Sequence, residues 1–234
     1  MRTHISLTPA VDAGVYIQEK IQEHKDSPIL FLVSGGSSFS ILEHISESVL
    51  NASITIAITD ERYTDDQNGN NFSLLTKTAF YKKASAQGVQ FIHSLKMEGE
   101  SHVQFTDRIE NKLREFRNTH PNAYGLGIFG IGEDGHTAGI FPASENEFIE
   151  RYEVDSYYVS LVQKENTYPK RSTVTPLFIE EVLNDIVMFA VGSNKCDNIL
   201  NYMHNKSFSR FQIPALIPAR HPHSILFTDC ETLI

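Results

Sequence analysis

Tyr124-Gly-Leu-Gly-Ile-Phe-Gly-Ile-Gly-Glu-Asp-Gly-His-Thr-Ala-Gly-Ile-Phe-Pro142 is the stretch on which the reading of this chain turns. From Tyr124 to Ile131 it is an apolar run threaded with glycine, and Gly127 and Gly130 would weaken a helix, so a buried strand is expected. The strand should stop near Gly132. Beyond it, Glu133-Asp-Gly-His-Thr137 is polar, contains a glycine suited to positive φ, and delivers an imidazole just past the carboxyl end of a central strand. Open α/β sheets keep their sites at that edge.

The neighbouring segments repeat the pattern. Pro28 to Val33 is a continuous apolar run of strand length, followed by Ser34-Gly-Gly-Ser-Ser38 and apolar positions Ile41, Leu42, Ile45 and Val49 at helical spacing. Strand, glycine turn and helix make the first half of a β-α-β unit. Ile54 to Thr59 leads directly into Asp60-Glu-Arg-Tyr63, and Asp185 to Val191 is ended by Gly192-Ser-Asn-Lys195. Further strands are expected at Gly88–His93, Tyr157–Val162, Pro169–Thr175 and Ser224–Thr228. Helices should cover Thr8–His24, with Val11, Val15, Ile17 and Ile21 inward, His102–Arg117, and a segment from Pro176. The acidic stretch from Ala143 to Val154 reads as irregular and as a candidate mobile flap.

Bulk properties narrow the partners. A chain of 234 residues with no linker-like stretch suits one α/β domain spanning 1–234. Its 20 basic and 29 acidic residues give a formal net charge of −9, which disfavours nucleic acid or an anionic membrane surface as partner. The start of the chain lacks an apolar signal core and no window reaches the roughly 18 apolar residues of a span, so a cytoplasmic location is expected. Cys196 and Cys230 form no C-x-x-C pair and read as two small buried apolar side chains in a reducing compartment.

Chemistry-bearing residues collect at the strand ends. Gly35, Gly36 and Ser37 offer backbone and hydroxyl donors to an anion, although an ordinary tight turn has the same composition. Arg62 and Arg171 carry the planar donor fork that grips oxyanions, and the acids beside Arg62 would orient it. Lys195 on its own reads as a solvated surface charge. His136 stands between acids and small residues that leave room beside its ring, a setting that favours a functional role over a structural one.

Taken together, Ser34-Gly-Gly-Ser37, Thr59-Asp-Glu-Arg-Tyr63, Asn71-Phe72, Gly130-Ile-Gly-Glu-Asp-Gly-His-Thr-Ala138, Phe141-Pro142, Arg171-Ser-Thr-Val-Thr175 and Lys195 resemble, in order and approximate spacing, the 6-phosphogluconolactonases. The resemblance implies a three-layer α/β/α sandwich around a mostly parallel, Rossmann-like sheet. It also implies hydrolysis of 6-phosphoglucono-1,5-lactone to 6-phosphogluconate, in the oxidative pentose phosphate pathway, without metal or cofactor. On that basis His136 is the expected general base, oriented by Asp60 or Asp134. Gly35, Gly36 and Gly132 are expected to face the oxyanion, and Ser37, Arg62, Asn71, Arg171 and Lys195 to bind the sugar phosphate. Two positions depart from the family pattern: Ser37-Ser38-Phe39 replaces a Thr-Pro pair after the glycines, and Thr64-Asp65 replaces Val-Pro after the Asp-Glu-Arg run.

Three other readings compete. A glucosamine-6-phosphate deaminase would carry a glutamate five residues after the motif histidine, where this chain has Phe141, and a tyrosine after the Asp-Glu pair, where it has Arg62. A sugar-phosphate sensor would share the fold without the chemistry. A metal enzyme could use His221-Pro-His223 or Asp134-Gly-His136, but neither completes a recognisable ligand spacing.

Overall fold

The computed structural model describes residues 1–164, 166–192, 196, 199, 202 and 207–231. Seven parallel strands form the central sheet: β1 (Arg2–Ile5), β2 (Ile29–Val33), β3 (Ile54–Ile58), β5 (Gln90–Phe91), β6 (Tyr124–Gly130), β9 (Asp185–Ala190) and β10 (Ser224–Thr228), in the order β1-β10-β9-β6-β2-β3-β5. The glycine-threaded strand β6 is therefore the middle one. From β2 the sheet grows outward through β3, and from β6 it grows the other way through β9. The carboxyl ends of β2 and β6 thus meet at the switch point, where the strand order leaves a crevice.

Alternation along β2 builds the layers. Ile29, Phe31 and Val33 pack with Ala13, Ile17 and Ile21 of α1 (Pro9–Glu23) on one face, and Leu30 and Leu32 pack with Phe105, Ile109 and Leu113 of α5 (His102–Thr119) on the other. Helix α7 (Pro176–Val182) joins the α5 side through Phe178 and Ile179. The architecture is a three-layer α/β/α sandwich. Val11 and Val15, expected to face inward, are exposed; the buried stripe of α1 runs through Ala13, Gly14, Ile17 and Ile21.

A second sheet was not foreseen. After β3 the chain bends at Thr59 into β4 (Asp60–Arg62), which pairs antiparallel with β8 (Lys170–Val174), itself paired with β7 (Tyr158–Val162). The acidic stretch also differs from expectation. It forms a helix, α6 (Glu145–Tyr152), because the Glu147 carboxylate accepts from Ser144 N–H and Oγ–H at its start and Phe148 and Tyr152 bury their rings. The segment after the Gly35-Gly36 turn is less helical than its pattern suggested: a 3₁₀ turn, Gly36–Ser38, and the short helix α2 (Phe39–Leu42), then a second 3₁₀ turn at Glu47–Val49. Ile41, Leu42, Ile45 and Val49 are nevertheless buried. Helices α3 (Asn71–Thr76) and α4 (Ala79–Ala86) follow the polar loop after β4.

The cysteines correct a further expectation. Cys196 follows β9 and Cys230 follows β10, and these adjacent parallel strands end at the same edge, so their Cα atoms lie 5.3 Å apart and the two are joined in a disulfide. A separation of 34 residues gives no hint of this in the sequence. The pairing removes the cysteine argument for a reducing compartment. Closing a loop of that length restricts the unfolded chain, so dithiothreitol should lower the unfolding free energy by about 2–4 kcal/mol in urea titrations. A midpoint indifferent to the reductant would mean that the thiols are free in solution. Among the described residues, no helix is long and apolar enough to cross a membrane.

Candidate active site

At the switch point lies a cleft of about 650 Å³, lined by Ser34 to Ser38 after β2, Gly130 to Asp134, His136 and Ala138 after β6, Asp60 and Arg62 of β4, Asn71 of α3 and Arg171 of β8. It brings together Gly35, Gly36, Ser37, Asp60, Arg62, Asn71, Gly132, Asp134, His136 and Arg171 from the sequence expectation. Lys195 lies outside the described residues.

The turn that carries His136 is fixed on several sides. Gly132 N–H donates to the His136 carbonyl at 2.8 Å, Ala215 N–H donates to the Gly135 carbonyl at 2.9 Å, and Thr137 Oγ1 donates to the Gly130 carbonyl at 2.8 Å. Gly135 has φ of +84°, which permits the reversal, and its bare Cα rests on Ile213. Asp134 Oδ1 sits 2.5 Å from His136 Nδ1 and also accepts the His136 backbone N–H. Burial alone would raise the Asp134 carboxyl, but the hydrogen bond and charge of His136 outweigh it and hold the group below the ordinary aspartate value. With Nδ1 engaged, Nε2 is the nitrogen left for chemistry.

Two contacts set the ring's plane. Phe141 lies against it with centroids 5.0 Å apart. A Cβ at Gly132 would fall 2.1 Å from Nδ1, so the imidazole keeps this place only because residue 132 has no side chain. That is the role of Gly132 here. Its N–H is committed to His136, so the oxyanion donors expected from three glycines reduce to Gly35 and Gly36, whose N–H groups meet no acceptor among the described residues. Gly35 caps, and Gly36 opens, a 3₁₀ turn that runs into the four-residue α2, so the donors are local peptide groups and not the end of a long helix.

The cationic side of the cleft comes from the β4–β8 pair. Arg62 stands opposite Arg171 in the antiparallel register, which sets two guanidinium side chains next to each other. Arg62 Nη1 donates to the Gly69 carbonyl at 2.9 Å, and Arg171 Nη1 reaches Asp60 Oδ2 at 3.4 Å. The Nε atoms of both arginines are buried without an acceptor. Burial, together with the like charge of Arg62, draws the Arg171 guanidinium below its ordinary value although Asp60 pulls the other way. One carboxylate for two adjacent guanidiniums leaves the β4–β8 side of the cleft locally positive, while Glu133 and Asp134 line the side that carries His136.

Strand alternation sorts the Asp60-Glu61-Arg62 run and corrects two expectations. Asp60 and Arg62 point toward the cleft and Glu61 away from it. Asp60 pairs with Arg171, so of the two acids weighed for orienting His136 the geometry selects Asp134. Arg62 is held by Gly69 and not by the flanking acids. Glu61, fully buried, instead accepts from the backbone N–H groups of Arg62, Asn71 and Phe72 and from Ser94 Oγ. Burial pushes its carboxyl up to about 8 against the pull of those donors. It ties the start of α3 to β4. Asn71 Nδ2 in turn donates to the Asp60 carbonyl at 2.8 Å. The sequence offers Glu61 only as an acid that would orient Arg62, and the period-two alternation of a short strand is the signal that separates it from its neighbours.

The nearest approach to a metal-ligand cluster among the described residues is Cys196, Asp229 and Cys230, whose two sulfurs are already bonded to each other. Comparison with known proteins places the chain among relatives. A 117-residue stretch is 31% identical to the 6-phosphogluconolactonase of Pseudomonas aeruginosa, covering 49% of this chain and 47% of the relative, so the match spans about half the length of that curated protein. A 6-phosphogluconolactonase from Shewanella baltica superposes with a TM-score of 0.78 at 19% identity, over 97% of this chain and 96% of that one. A monomeric glucosamine-6-phosphate deaminase superposes about as well, with a TM-score of 0.75 at 15% identity over 100% of both chains. The fold therefore does not separate lactonase from deaminase. The family model described as glucosamine-6-phosphate isomerases/6-phosphogluconolactonase matches residues 10–224, and the chain belongs to that family.

Proposed function

We propose that the chain hydrolyses 6-phosphoglucono-1,5-lactone to 6-phosphogluconate. The observation that carries this reading is the joining of two devices in one cleft: an imidazole held by Asp134 with Nε2 available, and two adjacent guanidiniums with a single carboxylate between them. The first suits proton transfer to and from an acyl centre, and the second suits a phosphate.

In the proposed reaction, His136 Nε2 takes a proton from water as the water oxygen bonds to C1 of the lactone. Negative charge on the former carbonyl oxygen meets the Gly35 and Gly36 N–H groups. The C1–O5 bond then breaks, and the imidazolium returns its proton to O5, opening the ring to the free acid. Asp134 stabilises the imidazolium between these steps. The 6-phosphate lies between Arg62 and Arg171, with Ser37 as a further donor.

The same cleft weighs against ring-opening deamination. The side chain five residues after His136 is the buried ring of Phe141, which packs on the imidazole and offers no proton. Freshly prepared 6-phosphoglucono-1,5-lactone, followed by acid release against its spontaneous hydrolysis, tests the reading. Rapid release with the phosphorylated lactone and slow release with gluconolactone is expected. Hydrolysis no faster than the spontaneous rate would overturn it.

A further inference from the structure

The Arg62 guanidinium also meets a residue from another part of the chain that does not line the cleft. Tyr168, in the loop between β7 and β8, places its ring 5.5 Å from the Arg62 guanidinium carbon. Its hydroxyl donates to Asp66 Oδ2 at 2.6 Å. Asp66 organises the polar loop after β4: its Oδ1 accepts from Asn68 N–H, and its carbonyl accepts from Gly69 and Asn70 N–H. That loop presents the Gly69 carbonyl which receives Arg62 Nη1. A Cβ on Gly69 would lie 2.4 Å from the Tyr168 ring, so the loop has no side chain where the tyrosine seats.

Three separate features are thus shaped around one aromatic ring: a bare Cα, a carboxylate and a guanidinium. None of them touches His136. We propose that Tyr168, latched to Asp66, is a positioning residue that fixes Arg62 for the substrate's phosphate and so sets the preference for phosphorylated over unphosphorylated lactones. The inference rests on the lactonase reading and adds a determinant of its specificity. An arginine held before binding loses less freedom when it grips an oxyanion, and a ring over its face orients the fork without competing for its N–H groups.

The test compares Tyr168→Ala, Tyr168→Phe and Asp66→Asn with the unaltered chain on 6-phosphogluconolactone and gluconolactone, with circular dichroism confirming the fold. Tyr168→Ala should raise KM for the phosphorylated lactone by about five- to twentyfold, with kcat within about twofold and gluconolactone kinetics unmoved. Tyr168→Phe and Asp66→Asn should each raise KM by about two- to fourfold, and combining them should add nothing, because both break the same hydrogen bond. Unchanged KM in Tyr168→Ala, or an equal loss on both lactones, would overturn the latch. If the unaltered chain hydrolyses neither lactone, the lactonase reading fails by itself, and calorimetric titration with inorganic phosphate decides the latch: weaker binding by Tyr168→Ala upholds it, and equal binding refutes it.

Discussion

His136→Ala should lower kcat for 6-phosphogluconolactone by about 10² to 10⁴, the range supplied by a positioned general base. KM should move little, because the guanidinium pair proposed to grip the phosphate stands on β4 and β8, apart from the imidazole. The pH profile gives a second readout. The Asp134 carboxyl is held below the ordinary aspartate value, so it stays ionised, and able to hold His136, until the pH falls through that depressed value. Asp134→Asn should reduce kcat, since the imidazolium formed in the reaction loses its counter-charge and Nδ1 its charged acceptor. Rates would be taken by direct product assay above the spontaneous background. Turnover of the alanine variant near that of the unaltered chain would exclude His136 as the base.

The parts of this molecule legible in the sequence are those fixed by local pattern. Ile29–Val33 and residues 186–190 of β9 are uninterrupted apolar runs, and a strand buried on both faces needs nothing else to announce it. The position of His136 past a strand end was equally local. What the sequence concealed depends on distant partners. β1 is an edge strand of mostly exposed residues, Arg2-Thr-His-Ile5, with no apolar run to mark it. After Ser34 the positions that helical spacing selected are buried, but the single helix they suggest is broken: α2 stops at Leu42, and Ser46 accepts from Ser48 N–H and turns the chain where a helix would continue.

The same division holds within the cleft. Its residue types were recognisable one by one, but their pairing was not. Whether Asp60 or Asp134 orients His136 depends on β4 joining a second sheet, which hands Asp60 to Arg171 across 111 residues. Tyr168 and Asp66 are 102 residues apart, and nothing near either one signals the other. Gly132 was noticed as a possible donor. Its actual contribution, a missing side chain beside an imidazole, is a property of shape that composition does not encode.

Replacing Arg171 separates substrate binding from stability most sharply. Arg171 and Asp60 are both largely buried, and their ion pair is the main compensation each receives. Arg171→Met keeps the length of the side chain and removes its charge, leaving the Asp60 carboxylate without its ion-pair partner and with only the Thr59 hydroxyl at 3.4 Å. Unfolding free energy should drop by about 3–5 kcal/mol, the cost of an uncompensated buried charge. KM for 6-phosphogluconolactone should rise by about 10² or more, because one of the two guanidiniums proposed to hold the phosphate is gone. Gluconolactone, which has no phosphate, should be hydrolysed at the unaltered rate by the folded fraction. The double variant Asp60→Asn/Arg171→Met distinguishes the two effects. Removing both charges should restore most of the lost stability in urea titrations and leave KM high, since an asparagine cannot replace the missing cation. Recovery of KM along with stability would show that Arg171 acts only as a structural partner of Asp60, and that Arg62 alone carries the phosphate.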